Sequence, residues 1–328
     1  MLATQRLIAL LGSRALAVAP DRLPNEFRTA VERDVAANRA RGLAVEALTG
    51  HVVERLEAEG IRSLPLKGPL LARRVHGDEG LRATNDLDLL VDRPQIDAAL
   101  AILREFGYEP EPLDPDLRAD GLPDLHYTLR HPAGRLTRIE LHWRIAWYED
   151  DFSRDLLERA DGTPPEPTPD DDLAALLVFY ARDGLFGLRA PADIAAWWDR
   201  HAERVRSPVL ARHWERYPDL RRAFVAAARA AERVAAVPAA RVLPPEARDT
   251  TRPRLAVRLA SWTGDGEIDQ LAANVRLVDL LLSPPGGMGP SLRRHVFVTP
   301  RRLGEIYRLP EGASLRRGLW RALHPAKI

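Results

Sequence analysis

Asp86 and Asp88 stand two residues apart in the run NDLDLLVD. In an extended strand, residues i and i+2 project from the same face, so the two carboxylates would lie side by side while Leu87, Leu89 and Val91 turn into a core. Their repulsion calls for compensation, which a divalent cation with oxygen ligands supplies, Mg²⁺ above all. Taken alone, a D-x-D pair is also what a solvated strand end or a helix cap looks like. A second run, TRIELHWRI (137–145), puts Arg138, Glu140 and His142 on one face and Ile139, Leu141 and Trp143 on the other. If both strands belong to one sheet, with neighbours about 4.8 Å apart, Glu140 comes to the aspartate pair. Three acids on one face form a ligand set for two metal ions that clamp the attacking and leaving oxygens of phosphoryl transfer.

A third feature precedes these. In LPLKGPLL (64–71) an apolar strand breaks at Gly68 and a helix begins, with Pro69 in its first turn. Free N–H groups and the helix dipole make such a start a seat for phosphate, Gly68 lets backbone approach closely, and Lys67 adds a point charge for a β- or γ-phosphate. An ordinary βα turn has the same sequence. Arg82, four residues before Asp86, is positioned for a phosphate or for an ion pair at the surface or in a loop. Asn85 shapes a turn. His142 is a partner of the acids, an acceptor contact or a satisfied sheet histidine. Asp183 and Asp193 flank a helix junction, where Asp193 reads as a cap or as a catalytic base. Trp197 and Trp198, about 100° apart on a helix, cannot both face the same way, so one belongs to a core.

The elements that must position these groups follow from the pattern. Residues 27–59 carry apolar residues at helical spacing and read as long amphipathic helices ending at Gly60. Then come a strand at SLPLKG, a helix at GPLLARRVHG, a strand at DLDLLVD and a helix from Pro94 to Gly107. LHYTLRH and TRIELHWRI, separated by Pro-Ala-Gly at 132–134, read as an antiparallel hairpin added to the sheet. DGTPPEPTPDDD (161–172) reads as a linker whose last aspartates cap a helix. Helices are expected at 172–183, 191–204, 209–215, 218–236, 252–262 and 266–282, followed by a loop at SPPGGMGPS. The predicted organisation is an α+β chain: N-terminal helices over 1–60, a small mixed-sheet core over 61–150, and a larger C-terminal helical domain over 165–328, with the acids lining a cleft between core and C-terminal helices.

Composition narrows the chemistry further. The 328 residues include no cysteine, which excludes disulfides, thiolate zinc sites and a cysteine nucleophile. Forty-eight basic against 47 acidic residues leave a net charge of +1, an argument against global steering onto nucleic acid or an anionic membrane. Only Lys67 and Lys327 are lysines, so Lys67 stands out in an arginine-rich chain. Charge is uneven: residues 291–328 hold eight arginines and Lys327 against Glu305 and Glu311, a stretch able to meet RNA, an acidic peptide or the chain's own acidic half. No apolar run is long enough to span a membrane, and Arg14 interrupts the signal-like LIALLGSRALAVAP, so an amphipathic first helix and a cytoplasmic protein are expected.

L-K-G, then L-R-x-x-N-D-L-D-L-L-V, then an E-L-H-W strand together resemble the bacterial uncharacterised nucleotidyltransferase family of the polymerase-beta-like superfamily. The resemblance is specific over 62–147 and looser beyond, where the helical half and "SPPGG…LRR…P…Y" are also similar. It implies a metal-dependent transferase that moves a nucleoside monophosphate from a nucleoside triphosphate, ATP among the candidates, to an acceptor and releases pyrophosphate. Carried over by motif, Asp86 and Asp88 would ligate both Mg²⁺ ions. Glu140 would ligate the catalytic ion and help deprotonate the acceptor, while Gly68 and Lys67 hold the β- and γ-phosphates. Pro69 occupies the slot where the superfamily usually has serine, and FYARDGLFGLRA stands where relatives often carry a His-rich helix. The acceptor can be a small molecule, a peptide, a protein or RNA. The reading from another class is a non-catalytic module on the same fold, antitoxin-like or a biosynthetic-cluster scaffold.

Overall fold

A computed structural model describes residues 6–111, 125–134, 137–203, 208–247, 251–260 and 268–295. The elements are α1 (Ile8–Val18), α2 (Asn25–Ala58), β1 (Ser63–Pro65), α3 (Gly68–His76), β2 (Asp86–Val91), α4 (Ile96–Glu105), β3 (Glu109–Pro110), β4 (His126–Arg130) and β5 (Arg138–His142), then α5 (Asp151–Arg159), α6 (Pro169–Arg182), α7 (Arg189–His201), α8 (Ala211–Arg216), α9 (Arg221–Ala235), α10 (Ala239–Val242), α11 (Thr251–Leu259), α12 (Ile268–Leu282) and α13 (Met288–His295). The fold is α+β, one mixed sheet with many helices, as expected. The chain divides into two compact units: residues 1–113, 125–173 and 192–204 form the first, and residues 114–124, 174–191 and 205–328 the second.

In the first unit the strand order is β1-β2-β5-β4-β3. β1 runs antiparallel to β2, β2 parallel to β5, and β5 antiparallel to β4. Leu64, Leu87, Leu89, Leu129, Ile139 and Leu141 are buried, the apolar halves of the alternating strands. Helix α2 packs against α1, α3, α4 and the neighbouring strands β1 and β2. It is one uninterrupted helix of 34 residues rather than several. Gly42 lies inside it, where a Cβ would meet Glu79 and Pro69 at ordinary contact distances of 3.4 and 3.6 Å. Gly60 follows its end with φ +71°, and the N–H of Ile61 returns to the carbonyl of Leu56.

The hairpin forms as read: Gly134 closes its turn with φ +66° and donates to the His131 carbonyl. In the second unit α9 carries an apolar face of Ala223, Phe224, Ala226, Ala227, Ala230 and Ala231, all buried, and packs against α10, α11 and α12. Across both units the helices expected after the linker recur, among the described residues, within a few residues of their read limits. SPPGGMGPS is a correction: only its first half is a turn, with Gly287 donating to the Pro284 carbonyl, and α13 starts at Met288. Pro290 sits in the first turn of that helix, where its missing N–H costs nothing. The basic stretch from residue 296 onward lies outside the described residues. Among the described residues no helix is long and apolar enough to cross a membrane.

Candidate active site

The β1–β2 pairing extends one residue past β1, through Leu66 N donating to the Asp88 carbonyl. The chain then leaves the sheet at Lys67 and turns at Gly68, whose φ of +71° lies in the left-handed region that glycine alone enters without strain. Helix α3 starts there with Pro69 in its first turn. The turn is thus fixed beside Asp88. Lys67 Nζ lies 3.4 Å from Asp88 Oδ1, with both side chains largely buried.

On the other side of β2, Asp88 is the register partner of Glu140 and Asp86 the partner of Arg138 in the parallel pairing with β5. Register partners on neighbouring strands share a face, so the two runs bring their polar faces together as alternation predicted. His142 follows Glu140 on that face. Its Nε2 lies 3.2 Å from Asp88 Oδ1 and 3.5 Å from Glu140 Oε2, so one imidazole nitrogen touches a carboxylate from each strand. Arg138 Nη2 lies 3.5 Å from Asp86 Oδ2 and 3.8 Å from Glu140 Oε1.

The antiparallel pairing with β4 adds a residue that sequence reasoning missed. His126 is the register partner of His142; its Nε2 lies 3.9 Å from Glu140 Oε2, and the two imidazole rings are 4.6 Å apart. Its signal was the hairpin itself, because a turn at 132–134 sets which residue of LHYTLRH faces His142. Carboxylate repulsion is therefore answered in part by the chain's own groups: Lys67, Arg138, His126 and His142. Burial pushes the Glu140 carboxyl up, as does Asp88, but the hydrogen bond from His142 and the charges of His126 and His142 outweigh this and hold it below the ordinary glutamate range.

Thr84 was also missed. It is buried, and its methyl carbon is 3.6 Å from the point a Cβ on Gly68 would occupy. Arg82 does not point to the acids. Its guanidinium donates to Asp193 Oδ2 at 3.0 Å with a side chain only 5% exposed, and His76 Nε2 lies 2.9 Å from Asp193 Oδ1. Asp193 lies inside α7 rather than at its start, so it is not a cap, and it joins His76 and Arg82 in a buried ion-pair group. Asp183 is exposed and accepts from Arg182, and Asn85 is exposed beside the first acid. Trp197 is the buried tryptophan of the tandem, donating from Nε1 to the Pro169 carbonyl.

No curated protein matches the chain. The family described as "Uncharacterised nucleotidyltransferase" matches residues 1–236, a span that includes the whole sheet and every acid and histidine on its polar face. With strand, glycine turn, D-x-D strand and third acid assembled on one sheet and the match covering most of its length, the chain belongs to the uncharacterised nucleotidyltransferase family.

Proposed function

We propose that the protein is a Mg²⁺-dependent nucleotidyltransferase that transfers a nucleoside monophosphate from a nucleoside triphosphate to an acceptor and releases pyrophosphate. The observation that carries this reading is the register pairing of Asp88 with Glu140, which brings carboxylates of two strands to one face next to the glycine turn. Donor chemistry fits a divalent ion: Arg138 reaches both Asp86 and Glu140, so oxygens from both strands already meet around a positive centre. Asp86, Asp88 and Glu140 are the residues that would hold Mg²⁺. When bound, the metal neutralises phosphate charge and polarises the phosphorus under attack.

The chain's own groups divide the remaining work. Helix α3 presents its free N–H groups at Gly68, where the leaving pyrophosphate gains hydrogen bonds and dipole stabilisation. Lys67 is held between that turn and Asp88, ready to exchange its carboxylate partner for a phosphate oxygen. Glu140, kept anionic by its histidine neighbours, accepts the proton of the acceptor nucleophile as it attacks the α-phosphorus in line. Positioning and electrostatics supply most of the acceleration in such a reaction.

The test is incubation with Mg²⁺, each of labelled ATP, GTP, CTP and UTP, and a cell extract as acceptor source. Label passes to an extract component with the wild-type protein and fails to pass with Asp88→Asn. If the wild-type protein neither binds any of the four nucleotides nor transfers label, the reading is wrong.

A further inference from the structure

Strand alternation and register together place two imidazoles and two carboxylates on one patch of the sheet. Glu140 and His142 are two apart on β5, Asp88 faces Glu140 from β2, and His126 faces His142 from β4. The ligand atoms of His126, Glu140 and His142 all lie within 4.8 Å of one another. Two donors bound to one ion at about 2.1 Å are separated by roughly 3.0 to 3.4 Å in octahedral or tetrahedral geometry. The separations of His142 Nε2 from Asp88 and Glu140, 3.2 and 3.5 Å, are already of that size, and the 3.9 Å between His126 Nε2 and Glu140 closes with a small side-chain adjustment. His142 has no exposed side-chain surface and Glu140 only 18%, so these donors are held by packing. His126, at 28%, leaves an approach open.

We infer that His126, Glu140 and His142 form a mixed nitrogen–oxygen site for one divalent ion of the borderline class, Co²⁺ or Zn²⁺, on the catalytic face beside Asp88. Mg²⁺ takes oxygen ligands and dehydrates reluctantly, so it gains little from imidazole, whereas first-row transition ions and zinc bind imidazole well. The site therefore discriminates between ions where an all-carboxylate triad would not. Its nitrogen donors come from β4 and β5, on the Glu140 side of Asp88, whereas Lys67 reaches Asp88 from the glycine turn. This inference deepens the transferase reading and rests on it for the meaning of the face, but metal binding itself needs neither nucleotide nor turnover.

The experiment titrates the full-length, nucleotide-free protein with Co²⁺ while following visible absorption, with Mg²⁺ as competitor. One equivalent is expected to bind with the spectrum of nitrogen-containing coordination and to resist an excess of Mg²⁺. His126→Ala and His126→Asn, at the more exposed imidazole, should each weaken Co²⁺ by about tenfold or more, as loss of a metal-site partner typically does, with circular dichroism unchanged. Asn keeps polarity and volume, so it guards against a folding defect in the alanine variant. Co²⁺ binding that is equal in wild type and both variants, is absent in wild type, or shows an all-oxygen spectrum overturns the inference. Label transfer with Mg²⁺ alone would survive that outcome. A protein that bound Co²⁺ through His126 but neither bound any of the four nucleotides nor transferred label would instead sink the transferase reading alone.

Discussion

At Glu140 opposing influences meet, and their sum has a sign that can be measured. Burial and Asp88 favour the protonated form, whereas the hydrogen bond from His142 and the charges of both histidines favour the anion and prevail. Because the folded-state pKa is depressed, the folded protein binds fewer protons at this group than the unfolded chain. Its stabilising contribution is therefore present above the ordinary glutamate pKa and lost as pH falls through the lowered value. In metal-free protein, the gap in unfolding free energy between wild type and Glu140→Gln should be largest near neutrality and narrow steadily toward acid. Urea unfolding at a series of pH values reads it, and a gap independent of pH would contradict the assignment. The three acids were legible because alternation decides which side chains of a strand share a face, and Lys67 because a strand breaks at the glycine that follows it. His126 needed a further step, since its place follows from the register that the hairpin turn sets rather than from alternation. The engagement of Arg82 was not legible, since its partner Asp193 lies 111 positions away.

The element that matters most is the turn from β1 into α3. Its sequence, strand then Lys-Gly-Pro, announces both a break and a helix start, and the break, the helix and the Gly77 cap in the left-handed region all occur where the residues put them. What the sequence could not convey is that the turn abuts Asp88, because that depends on antiparallel pairing of β1 with β2. Gly68→Ala tests the turn directly. A methyl group would meet Thr84 at 3.6 Å, an ordinary contact, so the cost should be the backbone one alone, about 1–2 kcal/mol for an alanine held in the left-handed region. Chemical denaturation measures it. A loss above about 3 kcal/mol would mean that crowding, not φ, is what glycine relieves. The same logic explains the misread loop: Gly and Pro in SPPGGMGPS signal irregular chain, yet Pro at a first helical turn is compatible with helix, and only packing of the segment decides between them.

Across the first unit, aspartates that read as helix caps are structural charges instead. Thr168 Oγ1 accepts from the N–H of Asp171 at the start of α6. Asp171 pairs with Arg159, and Asp172 meets the Arg74 guanidinium through both carboxylate oxygens, at 2.8 and 3.0 Å. Asp193, on the stretch of α7 that belongs to the same unit, joins Arg82 and His76. Arg74, His76 and Arg82 all lie between the glycine turn and β2, so Asp172 and Asp193 hold in place the segment that connects phosphate seat to acid strand. Removing one partner of a buried pair leaves the other charge unsolvated, whereas replacing both by apolar groups removes the desolvation penalty with the attraction. Asp193→Ala is accordingly expected to destabilise the protein by about 3–5 kcal/mol, and the double variant Arg82→Met with Asp193→Leu to recover most of that loss in a urea-unfolding cycle. Activity separates the two roles that Arg82 has been given. If Arg82 serves only this ion-pair group, the double variant keeps nucleotide binding while Lys67→Met loses it. If the double variant folds well but binds nucleotide no better than Lys67→Met, Arg82 exchanges Asp193 for phosphate during the reaction, and the segment it anchors moves with it.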